Sequence, residues 1–394
     1  MPHHRIPPPD RLDLFLDHDV YVHSKQKSCA SHLKSAHLDV DTTIDTSQLE
    51  PAKFSSQEAS QLILDLKNEV KKKRNQSLLS FDNHLMEEED FKTFTGWGKT
   101  ELETMLKVIL DSNSMRGSKH RSIADALLMF WVKLKTNLTY NQIGILFNYD
   151  TSSEDRRKRV SDSCDAVMDC LLKHFVPNFL GLNRVTYQQA LAHDTIYSKT
   201  FFGNGFKFTW DATYFFVNKS SDHVLQKKTY SGQKKRHYVK MMSVTLSDGY
   251  VLDTSGPYPG SKNDAQIAEH ITKVNEHLAK CCGNDAVAIV DRGFDRVRTH
   301  SWEEANQSRL ITKMRRAVEM YHGRLKKFLL FYQTIPNSLF EKIAPCVKIA
   351  SAALNCFRPP LISSVDPKKE ERLAKIMKIR ADAENELKER VLEN

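Results

Sequence analysis

"FKFTWDATYFFV", Phe206 to Val217, alternates and is rich in aromatic and β-branched residues, the texture of a β-strand. Asp211 stands inside it, where an acid is depleted unless something pairs with it. Downstream, "KKTYSGQKKRHYVKMMSVTLSDGYVLDTSG" predicts two further strands joined at Ser247, Asp248 and Gly249. "YPGSKNDAQIAEHITKVNEHLAKCC" predicts a loop and then a helix, and "DAVAIVD" a short buried strand that stops on Asp291. Strands as a meander, then helix, buried strand and helix, give an α/β domain with a mixed sheet.

Upstream the period changes to three and four. "SIADALLMFWVKLKTNLTYNQIGILFNY" predicts two helices, about Ile123 to Leu134 and Thr139 to Phe147, followed by the turn "NYDTSS". A third helix, "EDRRKRVSDSCDAVMDCLLKHF", has Thr151 and Glu154 at capping-box spacing and a buried stripe of Val160, Cys164, Val167, Leu171 and Phe175. Its first turns carry Arg156, Arg157, Lys158 and Arg159. A short helix, a turn and a helix with a basic N-terminal end is the pattern of a helix-turn-helix, whose second helix lies in the DNA major groove. The same pattern also describes a helical bundle with a solvated basic edge.

Composition narrows the partner. In 394 residues, 58 Lys and Arg against 49 Asp and Glu give a net charge of +9, which favours an anionic partner, nucleic acid being the commonest, and which would equally keep a protein soluble. There is no apolar run long enough to cross a membrane and no secretion signal, which predicts a soluble intracellular chain with no membrane partner. The seven cysteines lack framework spacing and fit reduced thiols. Four segments are expected: a poorly ordered basic arm over 1–75, a helical helix-turn-helix-like domain over 76–185, the α/β domain over 186–365 and a charged helical tail over 366–394. The tail reads as solvated or as an oligomerisation segment. In the arm, Lys71, Lys72, Lys73 and Arg74 read equally as a nuclear-import signal or a solvated charge run, and Cys29 and His32 have the spacing of half a zinc site.

Three carboxylates stand out by position. Asp211 is inside a strand, and Asp291 ends a buried strand, where open α/β sheets place ligands. Glu319 is on a helix whose apolar side is Met314, Ala317, Val318, Tyr321, Leu325 and Phe328, so it faces away from the core, beside Arg315, Arg316, His322 and Lys326. Singly, each has an ordinary explanation: a cross-strand hydrogen bond, a turn cap, and an i,i+4 pair with Arg315. Gathered at one sheet edge they would repel unless a hard divalent cation, Mg²⁺ or Mn²⁺, neutralised them, and such ions activate the nucleophile and stabilise the leaving oxygen of a phosphodiester. Arg315, Arg316 and Lys326 would then contact DNA phosphates.

In this order, "FTWDATYFF", "KTYSGQKKRHYVKMMSV", "DGYVLDTSGPYPGSKNDAQI", "IVDRGF", "EEANQSRLITKMRRAVE" and "HGRLKKF" resemble the DDE-type transposases of the PIF/Harbinger superfamily. "FKTFTGW" and the helix-turn-helix segment resemble the region that precedes their catalytic domain. The resemblance implies an RNase H-like catalytic domain with Asp211, Asp291 and Glu319 as catalytic, metal-binding residues. It also implies DNA as substrate, an accessory DNA-binding protein and a nuclear location; self-association is a further expectation. One spacing departs from this pattern. The step from Asp291 to Glu319 is 28 residues, and Ser301 with Glu304 predicts a helix start near Trp302. Too little chain is left for the usual helix and fifth strand. The expectation is therefore a DNA endonuclease and strand transferase, with a catalytically impaired, transposase-derived DNA-binding or interaction protein as the alternative.

Overall fold

The computed structural model describes residues 3–18, 20–22, 27–29, 33–34, 37–38, 55–75, 77–82, 86–118, 121–274, 287–291 and 302–382. The chain divides into two compact units, Met1–Leu78 and Leu79–Asn394.

In the first unit, His3–Arg5 pairs antiparallel with Lys27–Cys29, and Leu33–Lys34 with His37–Leu38. Helices span Pro8–His18 and Ser56–Asn75. The composition predicts a poorly ordered arm here, so the second helix is a difference. Its cause is local: the Ser55 amide donates to Glu58 Oε2 at 2.9 Å and the Glu58 amide to Ser55 Oγ at 3.3 Å, a reciprocal cap on a 20-residue run without Gly or Pro. Lys71 to Arg74 belong to its last turns. His32 lies outside the described residues, and with it the half zinc site.

The second unit opens with five helices: α1 (Glu88–Thr95), α2 (Lys99–Asp111), α3 (Ile123–Thr136), α4 (Tyr140–Leu146) and α5 (Ser153–His174). Helix α3 is buried on almost every side, as its apolar sequence requires. Helix α5 keeps its predicted stripe of Val160, Cys164, Val167, Leu171 and Phe175. Its cap is one residue later than predicted: Ser152 Oγ accepts from the Asp155 amide at 3.1 Å. Ser and Asp one step on from Thr151 and Glu154 offer the same chemistry.

The sheet consists of β1 (Lys207–Phe216), β2 (Tyr230–Ser231), β3 (Arg236–Thr245), β4 (Val251–Pro259) and β5 (Val287–Ile289). β3 is central. It pairs antiparallel with β1 on one side and, on the other, with β2 at its start and β4 along the rest. β5 adds to the far edge of β1 in parallel, which makes the sheet mixed, as the alternation predicts. Helix α6 (Ile196–Phe202) precedes β1, α7 (Asp264–Val274) lies between β4 and β5, and α8 (Trp302–Leu325), α9 (Ile343–Phe357) and α10 (Pro367–Asp382) follow. Residues 292–301, where the fifth strand is missing from the sequence pattern, lie outside the described residues.

One core joins the helical segment to the sheet. Trp97, just after α1, meets Trp131 of α3 at 5.2 Å between ring centroids, and Phe328, just past α8, meets them at 5.8 and 5.6 Å. Such pairs add about 0.5–1.5 kcal/mol each beyond area burial. The same core takes in Phe215 of β1, Met241 of β3 and most of α9. A second cluster packs α7 against the opposite sheet face, through Trp210, Val244, Ile267 and Ile271. The third corrects the solvated tail: α10 buries Ala374 and Ala381 against Phe201, Leu310 and Met314. These alanines, with Met377 between them, make a narrow i, i+3, i+7 stripe inside a charged sequence, enough to dock a helix on one face.

Candidate active site

Sheet register sets the first two acids side by side. Lys207, Phe208 and Thr209 of β1 pair with Val287, Ala288 and Ile289 of β5. Carrying that offset two residues further puts Asp291 level with Asp211. β5 stops before then, and β1 next finds a partner on this edge at Val217, which bridges Ile335. Among the described residues, the edge between them is unpaired, and the Asp211 carboxylate itself accepts the Ala212 amide at 3.1 Å.

Helix α8 crosses this gap. Buried Met314, Ala317, Val318, Tyr321 and Leu325 seat it on the core, so Arg315, Glu319 and His322 share the face toward the acids. The Arg315 guanidinium is the common partner. Its two terminal nitrogens lie 3.0 Å from Asp291 Oδ1, 3.2 Å from Asp211 Oδ2 and 3.6 Å from Glu319 Oε1. The i,i+4 pair and the gathering of the three acids are therefore one arrangement. Arg315 Nε is buried and has no hydrogen-bond partner among the described residues.

Asp211 is the buried member, with its side chain 12 % exposed against 45 % for Asp291 and 54 % for Glu319. Burial pushes its carboxyl up to about 6, against the pull of Arg315. His322 sits behind it, with Nδ1 3.8 Å from Asp211 Oδ2 and Nε2 3.2 Å from the hydroxyl of Ser243, the cross-strand partner of Asp211. Burial, then Lys326 and Arg315, push the imidazole down to about 3, so it is neutral where it bonds the Ser243 hydroxyl. Sequence reasoning passed over His322 and Ser243 as site residues. The signals were available: His322 is three residues from Glu319 on the helix, and Ser243 follows once the strand register is known.

The remaining basic residues are dispersed. Arg316 lies on another side of α8, lining a cavity of about 270 Å³ with Tyr197, Lys313 and Glu370, away from the acids. Lys326 lies one turn beyond His322, with Nζ 4.4 Å from the Tyr214 ring centroid. At the start of α5, Arg157, Lys158 and Arg159 are exposed. Arg156 is turned inward: Nε donates to Tyr149 O at 2.8 Å, Nη1 to Asn141 Oδ1 at 3.2 Å and Nη2 to Thr151 O at 3.0 Å. It lies on Gly144, where a Cβ would collide with its stem. This residue holds the α4–α5 turn, while its three neighbours remain free to face a ligand.

The donor set suits a hard cation. All three carboxylates offer oxygen, and a cationic guanidinium stands among them in place of an ion. With Arg315 in place, no cluster of three or more His, Cys, Asp or Glu side chains is arranged to hold a metal among the described residues. The residues fit Mg²⁺ or Mn²⁺ in kind, and Arg315 stands at the point where their oxygens converge.

Residues 210–355 match the DDE superfamily endonuclease family. The match covers well under half of the chain, running from β1 into α9, and it includes Asp211, Asp291 and Glu319. No curated protein and no solved structure matches. Similarity to a DDE endonuclease domain implies transposase-like nuclease activity with DNA as substrate, the chemistry for which oxygen ligands at a sheet edge are suited.

Proposed function

We propose that this protein is a metal-dependent DNA endonuclease with strand-transfer chemistry, of the PIF/Harbinger type, built on an RNase H-like sheet. The observation that carries this reading is the meeting of Asp211, Asp291 and Glu319, from two adjacent parallel strands and a crossing helix, around a single cationic group. The strand order supports it: β1, β3 and β4 pair antiparallel in succession, and β5 adds in parallel on the far edge of β1. In this reading Asp211 and Asp291 share the ions and Glu319 completes the second position. A divalent ion bound there would supply Lewis-acid charge stabilisation at a phosphodiester. Buried His322, bonded to the Ser243 hydroxyl, backs Asp211 on the side away from the ions. Arg157, Lys158 and Arg159 on the helix-turn-helix-like pair α4–α5 contact the DNA backbone, and the protein works in the nucleus, with an accessory DNA-binding protein or a second copy of itself.

The test is cleavage of terminal-repeat DNA in Mn²⁺ by the parent and by Asp211→Asn and Glu319→Gln. Cutting by the parent alone supports the reading. Equal cutting by all three would remove the carboxylates from the chemistry.

Arg315 favours a second reading. A guanidinium that neutralises all three acids is also what a transposase-derived protein would keep if it bound DNA without cutting. Tight DNA binding with no cleavage at any Mn²⁺ concentration decides for it.

A further inference from the structure

Further along β1 from the acids, on the other sheet face, lies a surface that the nuclease reading leaves unused. Tyr214 and Phe216 of β1 and Tyr238 of β3 form a three-ring cluster, with centroids 5.4, 5.7 and 6.5 Å apart. Three cations lie on two of these rings. Lys234 Nζ is 5.3 Å and Lys326 Nζ 4.4 Å from the centroid of Tyr214, and the Arg236 guanidinium carbon is 3.7 Å from that of Phe216.

Two neighbouring cations on the same elements have acids. Lys240, opposite Tyr214 in the register, reaches Asp264 at 2.8 Å, and Arg315 takes the three carboxylates. Among the described residues, Lys234, Arg236 and Lys326 make no ion pair with a carboxylate. Lys326 is held below its usual range by burial and then by Lys234, as expected of like charges crowded together.

Tyr214 is three residues along β1 from Asp211, about 10 Å at strand rise, and at that odd spacing its ring leaves the opposite face of the sheet; the link between rings and acids is Lys326, from the end of the helix on the Asp211 face. Lys326 follows His322 by one helical turn, and His322 is 3.8 Å from Asp211.

We propose that half-buried Tyr214 and Phe216, backed by buried Tyr238, form with Lys234, Arg236 and Lys326 a shelf for an unpaired DNA strand that reaches the acid site across the edge of β1. The inference rests on the nuclease reading for its substrate class and goes further in naming the strand's state. A duplex presents phosphates and hides its base faces, which would leave the rings unused. A single strand alternates bases and phosphates, and so offers a stacking partner to Tyr214 and to Phe216 and a phosphate to each cation now lying on them.

The test uses the full chain in EDTA, where cleavage plays no part. Fluorescence anisotropy compares a labelled oligo(dT) of about 12 nucleotides with a duplex of equal length. Tyr214→Leu keeps bulk and removes the ring, and should weaken single-strand binding about tenfold while leaving duplex binding unchanged; Tyr214→Phe should restore it. Lys234→Gln with Lys326→Gln should lower the single-strand salt slope by about 0.7 for each lost phosphate contact. If Tyr214→Leu fails to fold by circular dichroism, this charge pair carries the test alone. Equal losses on both DNAs, or none on either, overturn the shelf. Failure of the nuclease reading shows separately, as single-strand binding that survives with no Mn²⁺-dependent cleavage.

Discussion

Arg315 stands 3.2 Å from Asp211, close enough to neutralise a carboxylate that burial has already made reluctant to ionise. A divalent ion held by the three acids would meet the same guanidinium. Arg315→Gln should therefore tighten Mn²⁺ binding, by about tenfold if one competing charge contact of about 1.4 kcal/mol is removed. The metal-free protein should lose about 3–5 kcal/mol, because a buried acid is left without its partner. Titration calorimetry with Mn²⁺ and urea unfolding in EDTA read the two effects. Unchanged Mn²⁺ affinity would show that arginine and metal do not compete.

Asp211→Asn tests the acid from the other side. An amide binds hard cations poorly, so Mn²⁺ should no longer raise the melting temperature, while the metal-free fold persists. Equal stabilisation of mutant and parent by Mn²⁺ would make Asp211 structural.

The basic start of α5 should separate into two roles. Arg157, Lys158 and Arg159 replaced together by alanine should flatten the salt dependence of DNA binding by about 0.9 per lost contact, with stability nearly unchanged. Arg156→Ala should cost roughly 1–3 kcal/mol of stability through its lost hydrogen bonds. Gly144→Ala should cost a similar amount by expelling the same side chain. A stable Arg156→Ala with a flattened salt slope would reverse the assignment.

Lys133 supplies a pH dependence. Its ammonium is buried and donates to Asn137 Oδ1 at 3.0 Å and Leu138 O at 2.9 Å, and burial lowers its pKa from 10.5 to about 8. Between those two values the unfolded chain binds more protons than the native one, so stability rises with pH across the window. Relative to Lys133→Met, the parent should gain on the order of 1–3 kcal/mol from pH 8 to pH 10.5 in urea titrations. A constant difference would mean that the hydrogen bonds hold the ammonium charged.

The docked tail makes a simpler prediction. Ala374 is fully buried against α6 and α8, so Ala374→Glu should destabilise the second unit by about 2 kcal/mol or more, whereas exposed Leu373→Glu should be nearly neutral. Matching melting temperatures for the two variants would free the tail.

What the sequence revealed and what it hid divide along physical lines. Period carries direction within one element, so the buried face of α8 and the strand character around Asp211 were legible, and the turn at Ser247 to Gly249 with them. Contacts between elements depend on register and on single atoms. Arg315 read as a phosphate contact because nothing in "TKMRRAVE" says that β1 and β5 put two carboxylates opposite it. Arg156 read like its neighbours because its inward turn depends on the Cβ that Gly144 lacks. Ala374 and Ala381 were lost among lysines and glutamates, since alanine is too small to dominate a hydropathy pattern.

The stacking of Phe328 on Trp97 and Trp131 limits how such a chain can be cut and rejoined. The helix that carries Glu319 is anchored, at its far end, on side chains from residues near 97 and 131. A recombination junction at residue 185, between the helices and the sheet, would part that anchor from the acid it steadies. A grafted DNA-reading segment would have to rebuild the aromatic seat, so such chimaeras should succeed only when the exchanged piece includes α8 and α9, or leaves α1 to α3 in place.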